Sequence, residues 1–271
     1  MVDPSRTELS SADIYRYWTQ QAQAHGDDPE ASWSDTLAIE LEIKTIAPMI
    51  PVSAKVADLG CGNGWSTVNY AVRAAEVVGI DYVPELVELA RRRATSLPAD
   101  LAAKLRFETG DVRALGLDDA SVDCVVMTRV LINMATDDER QRTLAEVGRV
   151  LRPGGIALVS EATLGGWRRL NALRAEWGLD PIPVPAFNRY VDEEKLGAEA
   201  GPALELVDVI DFASTYFVIT RVLKPLLARL PGVDVDPADP RSELNRWAVA
   251  LPAAGDYGTQ KLFVLSRTTA P

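Results

Sequence analysis

The stretch Asp58-Leu59-Gly60-Cys61-Gly62-Asn63-Gly64 constrains this chain more than any other. It follows the short run Lys55-Val56-Ala57 and precedes a helical period, so it reads as a strand turning sharply into a helix. Glycine at three alternate positions brings bare backbone close to a ligand and allows positive φ where a side chain would be strained. The spacing is G-x-G-x-G, unlike the G-x-G-x-x-G of nicotinamide and flavin binders. The loop holds no basic side chain to meet a pyrophosphate.

From Lys55 onward, short apolar runs alternate with helical periods, the pattern of a parallel sheet with crossover helices. The spacing predicts strands over 55–59, 76–80, 104–107, 122–127 and 156–161, with helices at about 65–74, 84–96 and 137–151. Gly154-Gly155 reads as a helix stop that feeds the fifth strand. Residues 203–212 alternate like a strand with one face toward solvent, and 260–267 form the last strand. Nearly fifty residues separate those two, far more than a hairpin needs. Ahead of the sheet the first ten residues read as frayed. A helix follows over 11–25, carrying Ile14, Tyr15, Tyr17 and Trp18, then a polar stretch, 26–36, with Trp33. A second helix at about 36–47 is closed by Pro48 and Pro51.

At 271 residues with 47% hydrophobic content the chain suits one elaborated domain with a full core. Its net charge of −11 argues against nucleic-acid and anionic-membrane partners, which need a basic surface. The two cysteines, Cys61 and Cys124, are poor disulfide candidates, which fits a reducing cytoplasm. Neither a leader nor a run of about 18 apolar residues is evident, so the expectation is a soluble, cytoplasmic protein.

Two more strand ends sharpen the glycine signal. Asp81 closes the second strand, where a carboxylate accepts hydrogen bonds from both hydroxyls of a ribose. Gly110-Asp111-Val112 follows the third, where an adenine would lie. With these in order, the stretch from about 55 to 162, some 40% of the chain, resembles the class I S-adenosylmethionine-dependent methyltransferase family. Leu151-Arg152-Pro153-Gly154-Gly155 matches that family's usual lead into the fifth strand.

The resemblance implies an α/β, Rossmann-like, doubly wound sheet of seven strands, the last antiparallel. A helical cap over 1–50 and lid insertions at about 163–200 and 213–258 complete it. It implies S-adenosylmethionine as cofactor, with Asp58, Gly60, Cys61, Gly62, Asn63 and Gly64 at the methionine end. Asp81 with Tyr82 would hold the ribose, and Asp111 and Val112 the adenine. Thr128 and Arg129 would close the methionine side. No metal is called for.

In an open α/β sheet the residues after the fourth strand, Thr128 to Asn133, face the reactive end of the ligand. Arg129 can pair with a ligand carboxylate or with the protein's own groups. Asn133 stands where related enzymes often carry a histidine or aspartate. Glu161 ends the fifth strand on the same side, as a base or as a structurally bonded carboxylate. The lone histidine, His25, reads as a surface residue. Tyr17 and Tyr190 complete the candidate catalytic set, and Trp18, Trp33 and Tyr216 are the candidate substrate-pocket residues. None of the six tryptophans falls in a core strand, so aromatics concentrate in the segments that would form a lid. An aromatic lid excludes water and attracts a sulfonium by cation–π interaction.

General-base chemistry is thinly provided, which suits a methyl transfer driven by positioning. The leading expectation is a methyltransferase for a small natural-product, sugar or amino-acid-like acceptor. A second is intramolecular cyclisation of the cofactor to azetidine-2-carboxylate with release of methylthioadenosine. A third is a non-catalytic binding protein for S-adenosylmethionine. A homodimer through the aromatic lid is compatible with each.

Overall fold

The structure, a computed structural model, describes residues 9–269. The frayed start expected for the first ten residues falls mostly on 1–8, outside the described residues. Two helices precede the sheet: α1 (Ser11–His25) and α2 (Thr36–Ile46). The sheet and its crossovers then run β1 (Lys55–Leu59), α3 (Thr67–Tyr70), β2 (Glu76–Asp81), α4 (Pro84–Thr95), α5 (Ala99–Ala102), β3 (Leu105–Thr109), β4 (Val122–Thr128), α6 (Asp137–Val150) and β5 (Leu151–Ala162). The remainder is α7 (Leu164–Glu176), α8 (Leu196–Glu199), β6 (Leu204–Ile210), α9 (Ser214–Val218), α10 (Lys224–Leu227), α11 (Glu243–Val249) and β7 (Gln260–Arg267).

Local chemistry sets these boundaries. The Ser10 hydroxyl accepts from Asp13 N while the Asp13 carboxylate accepts from Ser10 N, a reciprocal cap that starts α1. Thr136 and Glu139 do the same for α6. Asp35, itself buried, accepts from Ala38 N to start α2. Pro84 occupies the first turn of α4, where its missing N–H costs nothing.

The seven strands lie in the order β3-β2-β1-β4-β5-β7-β6, parallel except for β7, which runs antiparallel to both neighbours. The chain winds outward from β1 in one direction and from β4 in the other. Their carboxyl ends therefore flank a crevice where the connections diverge. Strand parity sorts the core into two layers. Ala57, Leu59, Val125, Met127, Ala157 and Val159 point one way, onto α6 and α8. Val56, Cys124, Val126 and Leu158 point the other way, onto α2, α3, α9 and α11. The mostly uncharged runs of β1, β2 and β4 follow from burial on both faces.

Three elements differ from expectation. The helix expected over 65–74 is only the single turn α3, because the preceding residues are spent in the loop turn (Gly64 N donates to Cys61 O). Beyond its other end, Arg73 O accepts from Ser53 N and Ala75 N donates to Ala54 O, both on the β1 approach. Gly154-Gly155 is not a helix stop: α6 ends at Val150, and β5 begins at once. Val122 faces Leu151 and Cys124 faces Ile156, so Arg152–Gly155 bulge out between them. The segment 213–258 folds onto the sheet face rather than over the crevice, burying Tyr216 and Phe217.

Parity also decides the fate of two neighbours on β5. Ser160 goes to the α2 side and Glu161 to the opposite side. There the Glu161 carboxylate, without solvent exposure, accepts from the backbone N–H groups of Val130 (2.8 Å), Leu131 (2.7 Å) and Ile132 (3.2 Å). It thereby fixes the chain leaving β4. Glu161→Ala leaves those donors without that acceptor, so urea denaturation is expected to show a loss of about 3 kcal/mol. A change below about 0.5 kcal/mol would show that the loop holds itself.

Candidate functional site

The crevice begins at the loop after β1. Gly60, Gly62 and Gly64 all have positive φ. A Cβ on Gly60 would stand 2.5 Å from Val130 Cγ2, whereas one on Gly62 would meet nothing within 4 Å and would project into open space. Gly62 thus supplies a bare backbone cradle, and its N–H donates to the Asp81 carboxylate at 2.9 Å. The other Asp81 oxygen accepts from Val83 N. Asn63, almost fully buried, donates through Nδ2 to Gly26 O and Asp28 O, tying the loop to the segment that follows α1.

The Asp58 carboxylate accepts from the Thr67 hydroxyl at 2.6 Å, and burial pushes it up to about 7. Burial likewise raises Asp81 to about 6 and Glu161 to about 7, against the backbone donors that favour their ionised forms. Asp111 is held below the usual carboxylate range by Arg113, which grips both its oxygens and also pairs with Glu139.

A first cavity follows these strand ends, bordered by Gly60, Gly62, Asn63, Asp81, Tyr82, Asp111 and Val112, with Ile14 and Trp18 of α1 as its roof. Thr128 borders it on the β4 side. Asp58 and Cys61 lie behind, along a smaller recess under Trp65. Gly64 borders neither; it lets the loop close on Ala90 and Phe107.

Arg129 has φ of 57°, an uncommon conformation for a residue with a side chain. Its backbone N–H donates to Ser160 O at 2.8 Å. Its guanidinium pairs with Glu42, bonds the Ser32 hydroxyl and lies 5.5 Å from the Trp33 ring centre. Of the two partners open to it, a ligand carboxylate or the protein's own groups, the guanidinium has the second. Asn133 donates through Nδ2 to Arg129 O at 2.6 Å, which fixes its amide, while its Oδ1 is buried with no partner.

Beyond these residues lies a second cavity of about 340 Å³, between α1, the 29–34 turn and the segment after α7. Tyr17, Trp18, Trp33 and Tyr190 border it, joined by Phe187, Asn188 and His25. His25, expected at the surface, is half-buried with Nδ1 3.8 Å from a Glu30 oxygen. Burial raises the Tyr190 phenol to about 12 and also raises Tyr17, so both remain protonated at neutral pH.

Two residues of the expected catalytic and substrate-pocket sets are not there. Glu161 borders neither cavity, for the parity reason given above. Tyr216 is buried under the opposite sheet face, donating to Asp35 at 2.6 Å and accepting from Asn245. Conversely, Glu42, Phe187 and Asn188 belong to the site without having been singled out. Glu42 left a signal: it sits in the apolar stripe Ile39, Ile43, Ile46, a charge on the buried face of its helix.

Open space over Gly62, a carboxylate at the second strand end and an apolar slot beside Val112 fit an adenosyl group carrying an amino-acid tail. A family model described as a methyltransferase domain matches residues 56–155. Over that stretch the chain is similar to the class I S-adenosylmethionine-dependent methyltransferases, whose cofactor is S-adenosylmethionine.

Among curated relatives, a magnesium-protoporphyrin O-methyltransferase of Rhodobacter capsulatus is 32% identical over 57% of this chain and 65% of its own length. A demethylmenaquinone methyltransferase of Deinococcus radiodurans is 36% identical over 40% of this chain and 42% of its own. The chain thus spans less than two thirds of the curated relatives it matches. The same fold occurs in the putative methyltransferase bound to the Haloferax volcanii Trm112 activator (TM-score 0.59, 19% identity, 97% of this chain and 99% of that one).

The three raised carboxylates give this methyltransferase domain an unusual pH response. Their protons leave near pH 4 in the unfolded chain but only near 6–7 in the folded one, so folded protein binds more protons between those values. Their contribution is full below about pH 4 and lost as pH rises through 7. The lowered groups, such as Asp111, act oppositely and have given their full contribution above about pH 4.5. Urea midpoints are therefore expected to be higher at pH 5.5 than at pH 8. A midpoint that rises across that interval would contradict the assignment.

Proposed function

We propose that this chain transfers a methyl group from S-adenosylmethionine to a small-molecule acceptor held in the second cavity. The observation that carries the reading is a shared wall: Trp18, Ser32, Arg129 and Asn133 border both cavities. A donor in one compartment and an acceptor in the other meet across those four residues.

In this reading the loop from Asp58 to Gly64, with Thr128 and Arg129, receives the methionine end. Asp81 with Tyr82 receives the ribose, and Asp111 with Val112 the adenine. The bound cofactor supplies an electrophilic methyl group on a cationic sulfur. The protein's part is alignment and a suitable field. Glu42 neutralises Arg129, so the guanidinium does not repel that cation, and the face of Trp18 offers it cation–π attraction. Tyr17 and Tyr190, kept protonated, orient an acceptor rather than take its proton. His25 borders the same cavity.

The second compartment supports an external acceptor over the two other readings. Intramolecular cyclisation of the cofactor needs no such space, and neither does passive binding. The net charge of −11 supports a small acceptor over nucleic acid. Among the described residues no helix is long and apolar enough to cross a membrane. The two buried free cysteines support a reducing compartment, so cytoplasmic biosynthesis is the proposed setting.

Mass spectrometry of reaction products tests the reading. S-adenosylhomocysteine is expected only when an acceptor is added. Methylthioadenosine with a new amino acid, formed from the cofactor alone, would overturn it. Asp81→Asn is expected to weaken S-adenosylhomocysteine binding by about 10–100-fold in calorimetry. Wild-type binding should weaken as pH falls below about 6, where the Asp81 carboxylate takes up its proton. Unchanged affinity in the variant would place the ribose elsewhere.

A further inference from the structure

The second cavity has a chemical character that narrows its occupant, granted that it is the acceptor compartment. Its walls are flat and aromatic. Tyr17 and Phe187 stack with ring centres 4.1 Å apart, and Trp18 meets both edge-on at 5.1 and 5.9 Å. Trp33 and Tyr190 also border it. At about 340 Å³ the space lies within the range of small-molecule pockets.

Its charges are already paired. The Arg129 guanidinium is taken by Glu42 and the Glu30 carboxylate by Arg241, with His25 3.8 Å from the same carboxylate. A charged ligand would have to compete with partners in place, so the cavity favours a neutral one.

Two acceptor atoms are left over. Asn133 Oδ1 and Asn188 Oδ1 are both buried, both belong to residues bordering this cavity, and neither has a hydrogen-bond partner. A buried carbonyl oxygen without a donor is costly, so such atoms are usually satisfied by something. The Asn133 amide cannot turn over to remove the problem without breaking its 2.6 Å bond to Arg129 O. Asn188 is placed by its N–H donating to Pro185 O, and the next N–H, of Arg189, donates to Ile132 O. The segment carrying Asn188 is thereby pinned to the loop that carries Asn133.

We propose that the second cavity takes a neutral hydroxylated aromatic compound, whose O–H groups donate to Asn133 Oδ1 and Asn188 Oδ1 between the aromatic walls. Asn133 stands on the wall shared with the cofactor cavity, so the hydroxyl it receives is the one nearest the cofactor. Asn188 receives a more distant hydroxyl and sets the orientation of the ring system.

Equilibrium dialysis without cofactor tests this separately from methyl transfer. The probe pair is 2,7-dihydroxynaphthalene and 2,7-dimethylnaphthalene, which match in shape but differ in donors. The hydrophobic effect alone favours the dimethyl compound. Wild-type protein is expected to bind the diol at least about 10-fold more tightly, and the preference is expected to vanish in the Asn133→Leu/Asn188→Leu double variant. A diol bound no better than the dimethyl compound overturns the proposal, and that comparison needs no variant to fold. So does a preference that survives in a folded double variant, or tighter binding of 2-naphthylmethylammonium than of the diol. A diol preference without methylated product would leave this site standing and remove the methyl-transfer reading instead.

Discussion

The carboxylate of Glu42 has no solvent exposure, yet it receives the Arg129 guanidinium, the Ser160 hydroxyl at 2.6 Å and the Gln260 amide at 3.2 Å. Those three partners come from the end of β4, from β5 and from β7, and Glu42 itself comes from α2. One buried charge therefore joins four elements at the carboxyl edge of the sheet. Removing one member of such a pair leaves the other charged and dry, which typically costs 3–5 kcal/mol. The positive φ of Arg129 is held by the same network, since its N–H bonds Ser160 O while its side chain reaches Glu42 and Ser32. The wall between the two cavities is built on that residue.

The rest of the site follows from strand geometry around this anchor. Neighbours on β5 point to opposite faces, so Ser160 joins Glu42 while Glu161 turns away and holds the backbone of residues 130–132. The exit from β4 is thus gripped from both faces of the sheet. That grip presents Asn133 to the shared wall and leaves its amide with one bonded and one free end. At the first cavity, the Gly62 N–H donates to the Asp81 carboxylate, so glycine loop and carboxylate form one preorganised unit.

Much of this was legible in the chain. The runs Val56–Leu59, Val77–Ile80 and Cys124–Met127 read as strands because both faces are buried, and each lies where its pattern places it. The glycine loop and Asp81 could be read because their chemistry is local. Glu161 and Tyr216 were harder, since the partners that claim them lie about 30 and 181 residues away and no local pattern encodes that. The short α3 was obscured because a helical period continues through residues that the turn and the strand approach had already committed. Glu42 offered a clue in its place on the apolar stripe of α2. Asn188 and Phe187 offered none, because a proline-rich connection carries no period from which a side chain's direction follows.

The proposed function places cofactor and acceptor in separate compartments that meet across Trp18, Ser32, Arg129 and Asn133. A crystal structure of the chain with S-adenosylhomocysteine and a hydroxylated naphthalene measures this directly. The thioether sulfur is expected at that four-residue wall, with the aromatic ring beyond it between Tyr17, Trp18 and Tyr190. A sulfur directed away from the wall, or an aromatic ligand seated in the first cavity, would contradict it.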